Sequence, residues 1–548
     1  MIKKIFNSRM LNSKPSESVI SAAFIITTAG VVSNVMGLFR DRFLASTFGA
    51  GDTLDVYYAA FRIPDLIYNL LIMGALSAAF IPIFTGLVSK DKEADAWRLA
   101  SDITNLAVFS VVILSLIFAV FAPFFMRILT PGFSAEKMVK VVLFTRVMFL
   151  SPFFLGISGI MGGILTSLKR FLIYSIAPLL YNFGIIFGIL VFVRFMGPVG
   201  LAWGVVLGAF LHLVLQYLTV KNLGFTHNWT FFKSWKNPDV RKVLRLMLPR
   251  MTGIAVSQFN LLIITVFAST LAAGSLAIFN FSQNLQSFPL SVFGISFSIA
   301  VFPALATFAA RDEKEKFVKA FSETFRQILF FVIPVSVFML ILRAQIVRVV
   351  LGAGKFDWND TILTFQCLGI LALSLFAQST IQLLARAFYA LQDTKTPFYI
   401  AIVTEAVNIL MVIFLIHRVQ IISLAIAFSA ANVVQMLLLL FILRTRFDNL
   451  DDKNILKSVG KIALASFFAG LGIQLTKYLV ASVIDLDKFI DVFAQLSISL
   501  FVGLAIFITI CHWIKLEELM VFRAALTRKL FKSKQITIQE NTDEVSGI

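Results

Sequence analysis

GLFRDRFLASTFGAGDTLDVYYAAFRIPDLIYNLL, residues 37–71, places seven charged residues beside long apolar runs: Arg40, Asp41, Arg42, Asp52, Asp55, Arg62 and Asp65. It joins the end of one run, near 19–39, to the start of the next, near 55–87. Arg62 and Asp65 stand three apart and Asp55 lies two turns before Arg62, so all three can share a helix face. Pro64 removes a backbone donor and predicts a kink whose carbonyls need a polar setting. A charge at a bilayer centre costs at least about 2.5–3.5 kcal/mol. These groups must therefore face protein, water or one another. Either Arg62 pairs with Asp55 or Asp65 and ties helices together, or the charges meet a polar ligand. For Arg40 and Arg42, snorkelling to the interface is an equal alternative.

The bilayer itself follows from the rest of the chain. Of 548 residues 59% are apolar and 14% charged, with 59 phenylalanines. Segments such as FSVVILSLIFAVFAPFFM (109–126) and SISLFVGLAIFITICHWI (497–514) match the roughly 20 residues of a spanning helix. Such runs recur about fourteen times, giving an all-α polytopic membrane protein. Alternate connections are basic, among them Lys90, Lys169, Arg170, Lys233, Arg311 and Arg444. The positive-inside rule then puts both termini in the cytoplasm. The net charge of +18 is on this reading a topology signal and an attraction to anionic lipid, not a nucleic-acid face.

The chain also repeats itself. LASTFGAGD (44–52) matches FASTLAAGS (267–275), AAFIPIF (78–84) matches IAVFPAL (299–305), and Asn182 and Asn408 occupy equivalent places. Each repeat holds about six spans, an even number, so both halves have one orientation and should be related by an axis along the membrane normal, with a cavity where they meet. The expected division is a tail (1–18), an N-lobe (19–222), a linker (223–241), a C-lobe (242–443), two further spans (444–515) and a polar tail (516–548).

Enzyme signatures are lacking. GAGK (352–355) has neither the spacing nor the Ser or Thr of a phosphate-binding loop, and the four histidines have no metal-ligand spacing. Cys367 and Cys511 read as small hydrophobes in helices. NWT (228–230) is a glycosylation sequon on the expected cytoplasmic side. Arg146, Arg250, Arg326, Arg386 and Glu405 are further charges within apolar runs. Neither an enzyme nor a cofactor is expected; coupling to membrane potential or to an H+ or Na+ gradient is, with Asp55 and Glu405 as candidate ion sites.

The stretch 37–84, together with LPRMTGIAVSQFNLLIITVFASTLAAGS (248–275) and FYALQDTKTPF (388–398), resembles the lipid II flippases of the MurJ (MviN) family, relatives of MATE-type exporters. The resemblance implies two six-helix lobes opening alternately to either side. It also implies a cationic cavity for a diphosphate-linked peptidoglycan precursor, and a lipid-tail groove on the last two helices. It assigns substrate contacts to Arg40, Arg42, Asp55 and Arg62, and structural roles to Gly49, Gly51, Pro64, Pro82, Pro249 and Gly274. Asn34 stands where the family has arginine, Tyr68 and Asn69 replace its basic pair, Met73 its Glu, and Gln283 and Asn284 its Asp-Arg pair. Asn34, Tyr68 and Asn284 are thus candidate neutral contacts, weaker for phosphate than guanidinium. The expected partners are membrane lipids and that precursor; the expected state is a monomer, with cell-wall synthesis proteins as associates. A flippase for another polyprenyl-linked oligosaccharide and a transport-inactive scaffold are the alternatives. A cation-coupled drug exporter fits less well, since arginines repel cations.

Overall fold

In lipid the backbone must satisfy its own hydrogen bonds, and a helix does so locally. The computed structural model describes residues 19–73, 80–228, 234, 237–485 and 488–524; the two tails and parts of the linker lie outside these. Every element among the described residues is helical. The opening stretch forms α1 (Val19–Phe48) and α2 (Asp52–Tyr68), which continues into a π-helical turn, Asn69–Met73. Then come α3 (Ile81–Val88), α4 (Glu93–Val120), α5 (Ala122–Leu129), α6 (Ala135–Met148), α7 (Leu150–Ser167), α8 (Phe171–Phe187) and α9 (Gly200–Asn222). Beyond the linker lie α10 (Pro238–Ser269), α11 (Ser275–Pro289), α12 (Ser296–Ala310), α13 (Lys314–Ile341) and α14 (Arg343–Val350). The chain closes with α15 (Trp358–Leu373), α16 (Leu375–Ala390), α17 (Lys395–Val419), α18 (Ile421–Phe447), α19 (Asp452–Ala481) and α20 (Phe489–Trp513).

Among the described residues nine helical stretches are long and apolar enough to cross a membrane, or ten if α15 and α16, bent by 45°, form one broken span. Phe171–Asn222 contains two of the apolar runs in one stretch, and Gln258–Ser269 of α10 is a shorter apolar segment among the described residues. Pro64 does not end α2, which runs on to Tyr68 before its π turn.

The chain forms two compact units. The first gathers the described residues up to Leu285 with Val350–Cys367 and Glu405–Leu424. Its core packs Phe80, Phe84, Leu99, Ile103, Met161 and Ile164. The linker is pinned there: buried Asp102 of α4 accepts hydrogen bonds from Ser234 and Asn237, each at 2.8 Å. The second unit gathers the remaining described residues, and its core joins Phe330 and Phe338 of α13 to Ile462, Ala465 and Ile473 of α19 and Phe507 of α20. Close approach there uses small residues, as between membrane helices generally: a methyl group on Gly470 would lie 2.9 Å from Val337 and Ile341. Large apolar side chains such as Leu116, Phe124, Phe414, Phe441 and Phe501 are exposed, the surface that lipid requires. Cys367 and Cys511 are buried and free.

Candidate functional site

The repeated segments 44–52 and 267–275 fold alike: a helix ends, the chain turns, and a new helix starts. Gly49 and Gly274 have φ of +65° and +88°, a region that side chains other than glycine enter at a cost. The two turns touch, and a methyl group on Gly274 would lie 1.9 Å from the carbonyl oxygen of Ala50. The repeat appears again in the loops before α6 and α15. A methyl group on Gly132 would lie 2.2 Å from the carbonyl oxygen of Ser269, and one on Gly354 2.2 Å from that of Ser46. Residues 132 and 354 differ by 222, and residues 46 and 269 by 223. Gly51 is extended, and its nearest neighbour to an added methyl group is 3.9 Å away, so its conformation does not require glycine.

The charges of α1 and α2 lie beside these turns. Arg40 donates to Asp41 Oδ1 at 2.8 and 3.0 Å and to Asn182 Oδ1 at 3.2 Å. Asn284 donates to the other Asp41 oxygen at 2.8 Å. Arg42 reaches the carbonyl of Val350 at 3.4 Å. Asp55, only 2% exposed, accepts from the backbone amides of Gly274 (2.8 Å) and Ala277 (3.1 Å) and pairs with Lys137 at 3.3 Å. The start of α11 thus holds a carboxylate at its positive end.

Arg62 is buried and donates to Thr265 Oγ1 at 2.8 Å and Asn280 Oδ1 at 3.1 Å. Among the described residues no carboxylate lies within 4.0 Å of it. Ion pairs among Asp55, Arg62 and Asp65, allowed by their spacing, therefore do not form among the described residues: Thr265 and Asn280 take Arg62, and Gly274, Ala277 and Lys137 take Asp55. Glu405 on α17 makes a short hydrogen bond with Asn260, and Asn408 donates to it at 3.4 Å. Asn408 Oδ1 is buried with no hydrogen-bond partner.

Of the other charges in apolar runs, Arg146 reaches Ala119 O at 3.0 Å, Arg326 pairs with Glu517 and Glu518, and Arg386 contacts Gln382 O at 3.4 Å. Asn34 and Tyr68 are half-buried on α1 and α2, and Pro82 sits at the start of α3. The side chains of Met73, Pro249 and Arg250 lie outside the described residues.

A family model described as "Lipid II flippase MurJ" matches residues 44–488. A relative in Bdellovibrio bacteriovorus, named "Probable lipid II flippase MurJ", is 32% identical over 473 residues, covering 84% of this chain and 88% of its own. This chain belongs to the MurJ family. The solved "Lipid II flippase MurJ, inward closed conformation" covers 90% of this chain and 99% of its own at a TM-score of 0.73 and 22% identity. An inward-facing MATE transporter of the MOP superfamily matches at 0.64 and 14% identity, covering 77% and 96%. Both likenesses concern the fold.

The two arginines are thus held differently: Arg62 by neutral Thr and Asn oxygens, Arg40 by the Asp41 carboxylate as well as by Asn182. Thr265, Asn280, Lys137 and Asp360 were not singled out in the sequence. Lys137 and Asp360 were within reach, since they occupy equivalent places in the repeat, but their opposite charges hide the match.

Proposed function

We propose that this chain flips lipid II, the diphosphate-linked peptidoglycan precursor, across the bacterial cytoplasmic membrane by alternating access between lobes formed by 19–222 and 242–443. Arg62 carries this reading: it is a buried cation whose hydrogen-bond partners are neutral and on which Asp65 acts only from beyond ion-pair distance, a costly arrangement unless an anion visits. A diphosphate headgroup is such an anion, and hydrocarbon bars it without a polar path. The basic connections support cytoplasmic termini. The end where residues 49–55 meet 269–274 then faces outward. We further propose that the chain works as a monomer alongside cell-wall synthesis proteins, that α19 and α20 guide the lipid tail, and that Glu405 with Asn260 and Asn408 takes up a coupling H+ or Na+.

The test is growth of cells depleted of their own lipid II flippase. The parent chain is expected to restore growth and Arg62→Ala to abolish it at equal membrane levels. Restored growth with Arg62→Ala would leave Arg62 a structural residue. A second reading, a less charged lipid-linked oligosaccharide, is favoured by Asp41, whose carboxylate occupies both Arg40 and Asn284. It requires that the well-expressed parent chain fail in this assay.

A further inference from the structure

We propose that Lys137 is a positioning residue for Asp55, and that Lys137 and Asp360 together clamp the turn 49–55 onto the start of α11. Asp55 is almost wholly buried, and the two amides it accepts from offer only part of a positive charge, roughly half a unit at a helix N-terminus. A full counter-charge is still required, and Lys137 is the cation within reach, at 3.3 Å. Lys137 is itself mostly covered, with 15% of its side chain exposed, and lies 4.3 Å from the Phe133 ring centre. From the other side of the turn, Asp360 Oδ2 accepts from the Ala50 amide at 2.8 Å. Residues 137 and 360 differ by 223, the same spacing that relates Ser46 to Ser269. Equivalent places in the two repeats thus hold one turn through charges of opposite sign, a basic group on its acid and an acidic group on its amide.

A simpler role for Lys137 is its pair with Asp52 at 2.6 Å. Asp52 is 62% exposed, and exposed pairs contribute little. The buried partner is where the charge matters. The proposal rests on the alternating-access reading only for its purpose, since a contact that must part and re-form in each cycle needs a counter-ion that keeps Asp55 charged while closed.

The test uses purified full-length protein in detergent, without lipid II, so its outcome is independent of the substrate. Ser275 is 3% exposed, and Ser275→Cys reports parting of the turn by its rate of modification with a maleimide; Cys367 and Cys511 are buried. Lys137→Ala is expected to raise that rate about tenfold, the loss of one charge-assisted hydrogen bond. Lys137→Arg and Asp52→Asn should leave it unchanged. In an Asp55→Asn background, which needs no counter-charge, Lys137→Ala should add nothing. An unchanged rate in Lys137→Ala, an equal rise in Asp52→Asn, or additive effects with Asp55→Asn would each overturn the proposal. Should Lys137→Ala not fold, Lys137→Gln, which keeps a donor without charge, makes the same comparison.

Discussion

A guanidinium hydrogen-bonded to a threonine hydroxyl and an asparagine carbonyl, with the Asp65 carboxylate acting only from beyond ion-pair distance, as for Arg62, lowers the stability of the resting protein, because these groups compensate a buried charge only in part. Replacing it with an apolar side chain of similar length should therefore cost little stability or raise it. Arg62→Met is expected to melt within a few degrees of the parent in detergent, or higher, while failing to rescue flippase-depleted cells. A structural arginine would show the reverse, with lower melting and retained rescue. Sequence spacing alone could not separate these roles. It placed Arg62 correctly beside Asp55 and Asp65 on one helix, yet the atoms that decide its chemistry belong to residues 265 and 280, about two hundred positions away.

At the scale of elements, the turns carry the strongest steric demands. Gly274→Ala would enter a left-handed conformation and drive its methyl group to 1.9 Å from Ala50 O. Strain and clash together should cost upward of about 3 kcal/mol, read as a fall in melting temperature or lost expression. Gly197→Ala separates strain from clash: nothing lies within 4 Å, and φ of +64° with ψ of −156° is a conformation nearly confined to glycine, so about 1–3 kcal/mol of strain alone is expected. The loop between α16 and α17 gives a pH prediction. Burial pushes the Asp393 carboxyl up, but hydrogen bonds from Thr396 and Arg446 outweigh it and hold it at about 2. An unfolded aspartate titrates near about 3.9, so this stabilisation is complete above about pH 4 and disappears as pH falls through about 2. Arg446→Ala should move the Asp393 midpoint up toward the ordinary range, measurable by carboxyl NMR. Helices were legible from hydropathy because a bilayer imposes length and polarity on each one separately. The meeting of Gly274 with Ala50, or of Gly132 with Ser269, was not, since a glycine in sequence does not name the carbonyl it approaches. The repeat did pair the turns 44–52 and 267–275, and those turns prove to be in contact.

For the whole molecule, charge arithmetic bears on the driving force. A lipid-linked diphosphate moved from the cytoplasmic to the outer leaflet carries negative charge away from the negative side. Each charge gains about 2.3 kcal/mol per 100 mV, close to a fifty-fold bias. Collapsing the potential with valinomycin and potassium should therefore slow flipping sharply, whatever ion also moves. The ion site proposed at Glu405 is separately testable. The Glu405 carboxylate accepts from the side-chain amides of Asn260 and Asn408, and the Asn408 side-chain oxygen, buried and without a hydrogen-bond partner, is a second oxygen that a proton or small cation could use. Glu405→Gln should remove dependence on the pH or sodium gradient while leaving dependence on potential, because the headgroup still carries its charge. In proteoliposomes with fluorescent lipid II, the two gradients can be imposed one at a time. If Glu405→Gln kept full sensitivity to both ion gradients, Glu405 would not be the coupling site, and potential acting on the headgroup alone would have to drive the cycle.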